Sequence, residues 1–484
     1  MSFRPVLRIL GRLLQFLALA ELLPVVVCVA YGEPRSALAF SVTAIVTGGL
    51  GTLLRFFGRG ATSQQLFRRE GILIVVGGWM LASLSGAAPF LLAGTVTSPV
   101  DALFESASGF TTTGASILTD IESADHGILF WRSFSQWLGG MGIIVLFVAL
   151  LPELGPGARF LYRLEVPGPT AETFHPKVHD TAVVLWRLYL LLTTVQILLL
   201  LLGGLDLYDA ATHTFSTLST GGFSPRNESM AAFDSPFVQI VVIVFMVLAG
   251  ANFSLYYLAW RGRNLRVFGD TELRIYLALI VGTSALIGIS LIDSDSYSNA
   301  FRAGLDATFQ VVSIITTTGF ATADFDTWPG FAKVLLVALM FTGGCAGSTA
   351  GGPKIMRMVI GLRTAWREVR DSFSPNTVSA VFVGGKPVPE PVLRTVAGFF
   401  ILYVSTWALG TVLLTLGGQS LLTSSTAAIA TLGNIGPGLE LVGPTGNFAF
   451  WSDAQKLLMV LLMWIGRLEV YAIMAVFTVA FWRR

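Results

Sequence analysis

The chain consists mainly of long apolar runs separated by short polar segments. A helix of about 20 apolar residues crosses the hydrocarbon core of a bilayer, and ten runs are long enough to do so. They cover residues 6–31, 36–57, 70–94, 127–151, 181–203, 235–260, 273–292, 330–360, 392–417 and 454–482. The hydropathy pattern therefore predicts an all-α integral membrane protein with ten spans.

Four shorter amphipathic runs lie between the later spans. They cover residues 99–109, 207–218, 301–315 and 420–432. Each is too short to cross a bilayer, so we expect it to enter the membrane as a re-entrant helix. The order of span, short helix, turn and span occurs four times, after two N-terminal spans without such a helix. This order predicts four M1–pore-loop–M2 repeats around one central pore.

This repetition divides the chain into five units. The first is an N-terminal two-helix domain, residues 1–66. Four pore repeats follow, at 67–155, 156–262, 263–370 and 371–484, and the second span of the third repeat is interrupted.

Composition supports a membrane protein and excludes several other classes. Hydrophobic residues make up 54% of the chain and charged residues 12%, whereas soluble domains carry about 25% charged residues. The net charge of +2 gives no reason to expect a nucleic-acid partner. Both cysteines, Cys28 and Cys345, fall in predicted spans, so we expect no disulfide framework. No metalloprotease, serine-hydrolase or paired-carboxylate pattern occurs in the spans, and we predict neither an enzyme nor a transition-metal site.

The distribution of basic residues predicts the orientation. With the N-terminus in the cytoplasm, 24 of the 31 Lys and Arg residues lie on the cytoplasmic side, as the positive-inside rule requires. Both termini are then cytoplasmic. The outer side carries six basic and 17 acidic residues, and such an excess of negative charge would concentrate cations at a pore mouth. The alternative is that this excess is only a by-product of the topology.

Each short helix leads into a turn of small residues and glycine. The turns are 110–116, 218–224, 315–321 and 432–438, aligned on Gly114, Gly222, Gly319 and Gly436. A cation in a pore needs oxygen atoms in place of its water shell, and rings of backbone carbonyls supply them in potassium filters. Glycine permits the dihedral angles that such a ring requires, and the negative ends of the short helices would favour a cation there. The alternative is that these are four ordinary interhelical turns.

The predicted ion-binding residues lie in these turns, and the fourth turn diverges most from the other three. They are Thr111, Thr112, Thr113, Gly114, Ser219, Thr220, Gly221, Gly222, Thr316, Thr317, Thr318, Gly319, Asn434, Ile435 and Gly436.

A glycine-rich segment interrupts the second span of the third repeat. Residues 342–353 contain five glycines and end in Pro353, a composition that breaks a helix. Unwound backbone at this depth persists only where protein or a water-filled cavity covers it. One alternative is a glycine seam for close helix packing. A nucleotide-binding loop is excluded because Pro353 stands where that motif requires lysine.

Arg467 is a basic residue well inside a predicted span. Charged groups within membranes usually face protein or water and take part in function. Glu469 is two residues away and does not share its helical face. The alternative to a functional role is a structural ion pair with another helix.

With these motifs, the chain resembles the Trk/Ktr/HKT superfamily of potassium transporters over its whole length. The resemblance is carried by F-T-T-T-G-A-S, L-S-T-G-G-F-S, T-T-T-G-F-A, N-I-G-P-G-L and G-R-L-E, and the two extra N-terminal spans resemble the TrkH branch. It implies a potassium-channel-like pore, with K⁺ as the transported ion and glycines at the four filter positions. Relatives that favour sodium can carry serine at the first position, where this chain has Gly114.

The resemblance also implies a gate and partners. It places Arg467 in the pore below the filter, together with an intramembrane gating loop. The loop residues are Gly343, Gly344, Cys345, Ala346, Gly347, Ser348, Thr349, Ala350, Gly351 and Gly352. It further implies a homodimer in the bacterial inner membrane and a TrkA-like cytoplasmic ring that binds NAD or ATP. Nucleotide would act only through that partner, which we expect to dock on the basic loops 261–274 and 354–394.

Two functional interpretations remain after this comparison of motifs. The first is potassium uptake through a selective pore that the cytoplasmic partner gates. The second is a sodium- or proton-coupled potassium symporter of the same fold, which reversal potentials under ionic gradients would distinguish. Four filter-like turns argue against a purely structural membrane subunit.

Overall fold

The computed structural model describes residues 3–60, 68–142, 178–262, 269–294, 296–373 and 379–483. The helices are α1 (Phe3–Ala20), α2 (Leu22–Tyr31), α3 (Pro34–Phe57), α4 (Arg68–Ala93), α5 (Pro99–Phe110), α6 (His126–Gly140), α7 (Val178–Leu202), α8 (Leu207–Leu218), α9 (Pro236–Gly250), α10 (Phe253–Gly262), α11 (Thr271–Asp293), α12 (Ala300–Ile315), α13 (Gly330–Met340), α14 (Ile355–Phe373), α15 (Glu390–Thr415), α16 (Leu421–Leu432), α17 (Asp453–Arg467), α18 (Tyr471–Val476) and α19 (Val479–Trp482). Short 3₁₀ helices cover Ser229–Ala232, Phe325–Thr327 and Glu440–Val442, and β1 (Phe382–Val383) pairs antiparallel with β2 (Lys386–Pro387).

Six helical segments within the described ranges are long and apolar enough to cross a membrane. They are Phe3–Tyr31, Pro34–Phe57, Arg69–Ala93, Ala182–Leu202, Thr271–Asp293 and Glu390–Thr415. These segments correspond to the two N-terminal spans and to the first span of each predicted repeat. The mainly helical membrane architecture is confirmed, whereas the count of ten spans stays a prediction.

The second helix of each predicted repeat is shorter than a span. Helices α6, α9 and α17 have 15 residues each and α13 has 11. A bend of 94° separates α9 from α10, and the pair makes a seventh span only if both parts are taken together. The runs predicted as spans at 235–260 and 454–482 are thus broken helices in the structure, and their crossing of the membrane stays a prediction. The interruption predicted in the third repeat is present between α13 and α14, and residues 143–151 of the span predicted at 127–151 lie outside the described ranges.

Glycines allow two of these second helices to end against the backbone of a short helix. A Cβ atom on Gly139 would lie 1.8 Å from the carbonyl oxygen of Phe110, and one on Gly466 would lie 1.9 Å from that of Leu432. No other residue tolerates such an approach. Phe110 and Leu432 are the last residues of α5 and α16. The close contacts therefore hold the C-terminal ends of these short helices in place.

Side chains also determine where the four short helices begin. Ser98, Asp206, Asn299 and Ser420 are the N-cap residues of α5, α8, α12 and α16, and each side chain accepts a hydrogen bond from a backbone N–H of the first turn. Such caps satisfy donors that have no partner within the helix. A fixed start determines which residues stand at the far end of each helix, where the glycine turns follow.

The first helix of each predicted repeat packs against the short helix that follows it. These pairs are α4 with α5, α7 with α8, α11 with α12, and α15 with α16. Helix α17 also packs against α5, which brings the end of the chain next to the first short helix. Helices α6, α9 and α13 likewise pack against the next short helices, α8, α12 and α16, so these contacts form a closed cycle.

The N-terminal helices form a separate layer against α4. Helix α1 packs against α3 and α4. The predicted unit boundaries near 66, 155 and 262 lie in or beside residues outside the described ranges, and the boundary at 370 falls in the last turn of α14. The division into units stays a prediction.

Candidate ion pathway

The four glycine turns meet in a closed ring. Each aligned glycine, called a ring glycine below, lies against the carbonyl oxygen just before the ring glycine of the next repeat. A Cβ atom added to Gly114 would lie 2.2 Å from the carbonyl oxygen of Gly221, and one added to Gly222 would lie 1.9 Å from that of Thr318. A Cβ atom added to Gly319 would lie 2.1 Å from the carbonyl oxygen of Ile435, and one added to Gly436 would lie 2.8 Å from that of Thr113. The last contact returns to the first repeat. The contacts thus close into a cycle of four glycines and four carbonyl oxygens, which is called the ring layer below.

All four turns follow the same backbone path. The ring glycines have φ angles of +82°, +79°, +83° and +100°, and the residues two positions earlier, Thr112, Thr220, Thr317 and Asn434, have φ angles of 56°, 54°, 58° and 53°. A left-handed conformation costs a residue other than glycine about 1–3 kcal/mol and is retained where the surroundings impose it, often at functional sites. At the three threonine positions, the sequence gives no indication of this conformation.

Threonine hydroxyls in the first and third turns hold the backbone. The Thr111 hydroxyl donates to the carbonyl oxygen of Ala107 at 2.6 Å and lies 2.8 Å from the hydroxyl of Thr113. Thr316 and Thr318 repeat the 2.8 Å contact in the third turn. These hydrogen bonds within the protein hold the backbone of the first and third turns.

The fourth turn is fastened to the first by a side chain. Nδ2 of Asn434 donates to the Thr113 hydroxyl at 2.9 Å and to the carbonyl oxygen of Met463 at 3.1 Å. Asn434 is fully buried. The divergent sequence of this turn therefore retains the backbone path of the other turns and adds a connection that closes the ring.

A cavity of about 180 Å³ lies on one side of the ring. All four ring glycines line it, together with residues that follow them in the chain, such as Ser116, Phe223 and Ala321. Arg132 also lines the cavity and makes a buried ion pair with Glu105, with Nε and Oε1 2.7 Å apart. A cation that entered this cavity would reach the ring directly.

Aspartates in three of the short helices occupy equivalent places and are all ion-paired. Asp101, Asp209 and Asp306 each stand 13 residues before a ring glycine. They pair with Lys456 at 2.5 Å, Arg226 at 2.6 Å and Arg302 at 3.0 Å, respectively. The hydrogen bond to Asp209 raises the pKa of Arg226. Three of the 17 acidic residues predicted on the outer side are therefore compensated by local ion pairs.

The predicted gating loop lies on the opposite side of the ring. Its Gly351 donates a backbone hydrogen bond to the Thr317 hydroxyl at 2.7 Å, and a Cβ on Gly351 would lie 2.4 Å from the carbonyl oxygen of Gly433. Thr317 and Gly433 precede the ring glycines of the third and fourth turns. The loop therefore contacts two of the turns on the side opposite the cavity.

One buried carboxyl group connects this loop to the start of α14. Oε1 of Glu272, in the first turn of α11, accepts hydrogen bonds from the backbone N–H groups of Ala346 at 2.8 Å and Met356 at 2.9 Å. Ile355 also donates to the carbonyl oxygen of Gly344 at 3.0 Å. A loop that lacks a regular hydrogen-bond pattern is thus fixed by an acceptor from another helix, which the sequence did not indicate.

Arg467 joins the first turn, the second helix of the first repeat and the gating loop. Its guanidinium donates to the Thr112 hydroxyl at 3.1 Å and to the carbonyl oxygens of Thr349 at 3.0 Å, Gly139 at 2.6 Å and Gly140 at 3.0 Å. Glu469, two residues further along the chain, forms an ion pair with Arg357. Arg467 instead provides a positive charge beside the loop and beneath the ring.

Comparisons with known proteins agree with this arrangement. The profile of the TrkH family, described as a cation transport protein, matches residues 37–482. The chain is 39% identical to the Trk system potassium uptake protein TrkH of Halomonas elongata and 37% identical to that of Escherichia coli K12, in each case over 100% of both chains. The crystal structure of the potassium transporter TrkH from Vibrio parahaemolyticus superimposes with a TM-score of 0.90, at 36% identity and full coverage of both chains. The chain therefore belongs to the TrkH family of cation transport proteins, and it is a membrane transporter rather than an enzyme.

Proposed function

We propose that this protein takes up potassium through a selective pore whose filter is the ring of glycine turns. The observation that carries the proposal is the closed cycle of contacts between ring glycines and carbonyl oxygens. Rings of carbonyls can replace the hydration shell of a potassium ion. The residues that would bind the ion are the fifteen named from the sequence, with backbone oxygens as ligands. The names of the Halomonas and Escherichia relatives support potassium as the ion.

We infer that the loop 343–352 and Arg467 form the gate. The loop lies across the side of the ring that the cavity does not occupy, and Arg467 adds a positive charge next to it. A cation about 5 Å from a unit positive charge is repelled by about 3 kcal/mol at an effective dielectric constant of 20. Movement of the loop would release the Thr349 carbonyl from Arg467 and the Gly351 N–H from Thr317. Glycine-rich backbone permits such movement with little strain.

The regulatory part of the proposal concerns the cytoplasmic face. The distribution of Lys and Arg supports cytoplasmic termini in the bacterial inner membrane. A TrkA-like ring that binds NAD or ATP would dock on the basic loops 261–274 and 354–394, of which residues 263–268 and 374–378 lie outside the described ranges. Function as a homodimer belongs to the same proposal, and it rests on the family resemblance.

Cation flux in proteoliposomes tests the transport function. The purified chain is reconstituted alone, and uptake of ⁸⁶Rb⁺ is measured in competition with K⁺, Na⁺ and Li⁺. We expect K⁺ and Rb⁺ to compete strongly and Na⁺ and Li⁺ weakly. Reversal potentials that follow the potassium gradient alone support a pore, whereas a dependence on the sodium or proton gradient supports the coupled symporter. Equal competition by all four cations contradicts a potassium-selective filter.

Nucleotide binding tests the regulatory part separately. The same purified chain is titrated with NAD, ADP and ATP by calorimetry. We expect no binding at physiological concentrations, because nucleotide would act only through the partner. Tight binding to the chain alone contradicts regulation through a separate nucleotide-binding subunit.

A further inference from the structure

Gln136 connects the second helix of the first repeat to the turn of the second repeat. It lies in α6 and is fully buried. Its Nε2 donates to the carbonyl oxygen of Gly221 at 2.6 Å, and its Oε1 accepts from the backbone N–H of Phe223 at 3.1 Å. The two partners are a carbonyl and an N–H, so only one orientation of the side-chain amide satisfies both. A single side chain thus brackets the ring glycine Gly222 on both sides.

The contact with Gly221 leaves no room for a side chain at that position. A Cβ atom there would lie 2.4 Å from Cδ of Gln136, 2.6 Å from Oε1 and 2.8 Å from Nε2. The amide group therefore rests directly on the backbone of the turn. This explains why the second turn has glycine where the first and third turns have Thr113 and Thr318.

The Gly221 carbonyl is one of the four that form the ring layer. Its counterparts are the carbonyls of Thr113, Thr318 and Ile435, which accept no hydrogen bond from any other residue in the described ranges. A hydrogen bond from Nε2 withdraws electron density from the Gly221 oxygen and limits how far it can move. The layer consequently contains three oxygens without a donor and one that a neighbouring repeat holds.

We propose that Gln136 is a specificity-determining residue of the pore. It would hold the Gly221 oxygen at the distance that suits potassium and prevent the second turn from closing around a smaller ion. Ring oxygens that cannot approach a small cation do not compensate for the loss of its water shell. This inference rests on the proposed potassium function, which it deepens by naming a residue outside the turns that determines selectivity.

Two substitutions at this position test the inference. Gln136→Leu keeps a similar volume and removes both hydrogen bonds. Gln136→Glu keeps the shape and can still accept from Phe223, but as a carboxylate it cannot donate to Gly221. We expect both variants to reduce the ratio of K⁺ to Na⁺ competition against ⁸⁶Rb⁺ uptake by about fivefold, the equivalent of one typical hydrogen bond. The glutamate variant is expected to lose selectivity even if its melting temperature equals that of the wild type.

Gln239 provides a matched control. It is also a fully buried glutamine on a second helix, α9, and its Nε2 donates to the carbonyl oxygen of Phe233 at 3.1 Å, away from the ring. Gln239→Leu is expected to change the melting temperature but not the K⁺ to Na⁺ ratio. Melting temperatures of all variants are recorded in detergent, and flux is expressed per folded molecule.

The outcomes separate this inference from the proposed function. A wild-type chain without potassium selectivity contradicts the proposed function itself. A selective wild type with an unchanged ratio in a folded Gln136→Glu or Gln136→Leu variant overturns the role of Gln136. A lower ratio in Gln239→Leu of the same size as in Gln136→Leu also overturns it, because loss of selectivity would then follow from general loosening of the fold. If Gln136→Leu fails to fold, the isosteric glutamate variant decides.

Discussion

Nη1 of Arg467 lies 3.0 Å from the carbonyl oxygen of Thr349, so a charge in the fourth repeat holds the loop of the third. The same guanidinium reaches the Thr112 hydroxyl at 3.1 Å. The gating loop and the first turn of the ring therefore share one donor. Any movement that opens the loop must release the first of these contacts or displace the whole side chain.

Replacement of Arg467 tests this connection. We expect Arg467→Ala to raise cation flux several-fold, because it removes both the positive charge and the contact that holds Thr349. Arg467→Lys is expected to have a smaller effect, since it retains the charge but cannot make four hydrogen bonds with a planar fork. Flux and melting temperature are measured on the same purified samples. Arg187→Ala, at an exposed site of α7, serves as the control. A destabilised Arg467→Ala protein without increased flux per folded molecule assigns the arginine a structural role only.

Gly114→Ser tests the ring contact of the first turn. The added Cβ would lie 2.2 Å from the Gly221 carbonyl oxygen, so the ring has to widen or the oxygen has to turn away. We expect the ratio of K⁺ to Na⁺ competition to fall by about tenfold, as for the loss of one good ligand contact. Gly204→Ser is the matched control, because Gly204 has a similar φ of +93° but no atom within 4 Å of the added Cβ. Similar selectivity in the two variants contradicts a filter role for Gly114.

Glu272 offers a way to loosen the loop without touching the ring. Glu272→Gln keeps an acceptor for Ala346 and Met356 but removes the negative charge that strengthens both hydrogen bonds. We expect flux in the absence of any partner to rise about threefold to tenfold, since the two bonds together weaken by roughly 1 kcal/mol. Glu390→Gln is the control, because Glu390 also lies in the first turn of a first helix but pairs with Arg367 at the surface and is half-exposed. Unchanged flux in a folded Glu272→Gln variant indicates that this carboxylate does not restrain the gate.

Gly466 tests the close approach between α17 and α16. Gly466→Ala would place a Cβ 1.9 Å from the carbonyl oxygen of Leu432, and the helices must separate to accept it. We expect a loss of about 2–3 kcal/mol of stability, typical of overpacking in a dense interior. Gly304→Ala in α12 meets no atom within 4 Å and is expected to stabilise the protein by up to about 1 kcal/mol. Thermal melting of both variants in detergent checks the pair, and equal melting temperatures contradict the proposed contact.

The sequence predicted those features that a local pattern encodes. Length and hydropathy indicated the uninterrupted spans, and repeated spacing indicated the four turns. A cluster of glycines before Pro353 was sufficient to predict the interruption of the third repeat. Each of these signals lies within a short window of the chain, and each can therefore be recognised without knowledge of tertiary contacts.

The breaks in the second and fourth repeats had no comparable signal. Only Gly250 precedes the bend between α9 and α10, where a Cβ would meet Tyr276 and Thr316. The break after Arg467 falls on Glu469 and Val470, both with positive φ angles, and valine normally avoids this conformation. Residues distant in the sequence contact these breaks, as in the ion pair of Glu469 with Arg357, and a local pattern does not reveal such contacts. Gln136 was missed for the same reason, because nothing in α6 indicates that its amide reaches the next repeat.

The cyclic order of the ring has a consequence for how its chemistry can be altered. In a channel assembled from four identical subunits, one codon change modifies every position of the filter at once. Here a single polypeptide supplies all four positions of the proposed filter, so a substitution is introduced once. Its immediate neighbour is known in advance, because Gly114 lies against Gly221 and Gly436 lies against Thr113. Substitutions can therefore be introduced in one, two, three or all four turns, and each turn can carry a different residue. Selectivity would then change in steps, because each altered turn removes one more of the four similar contacts.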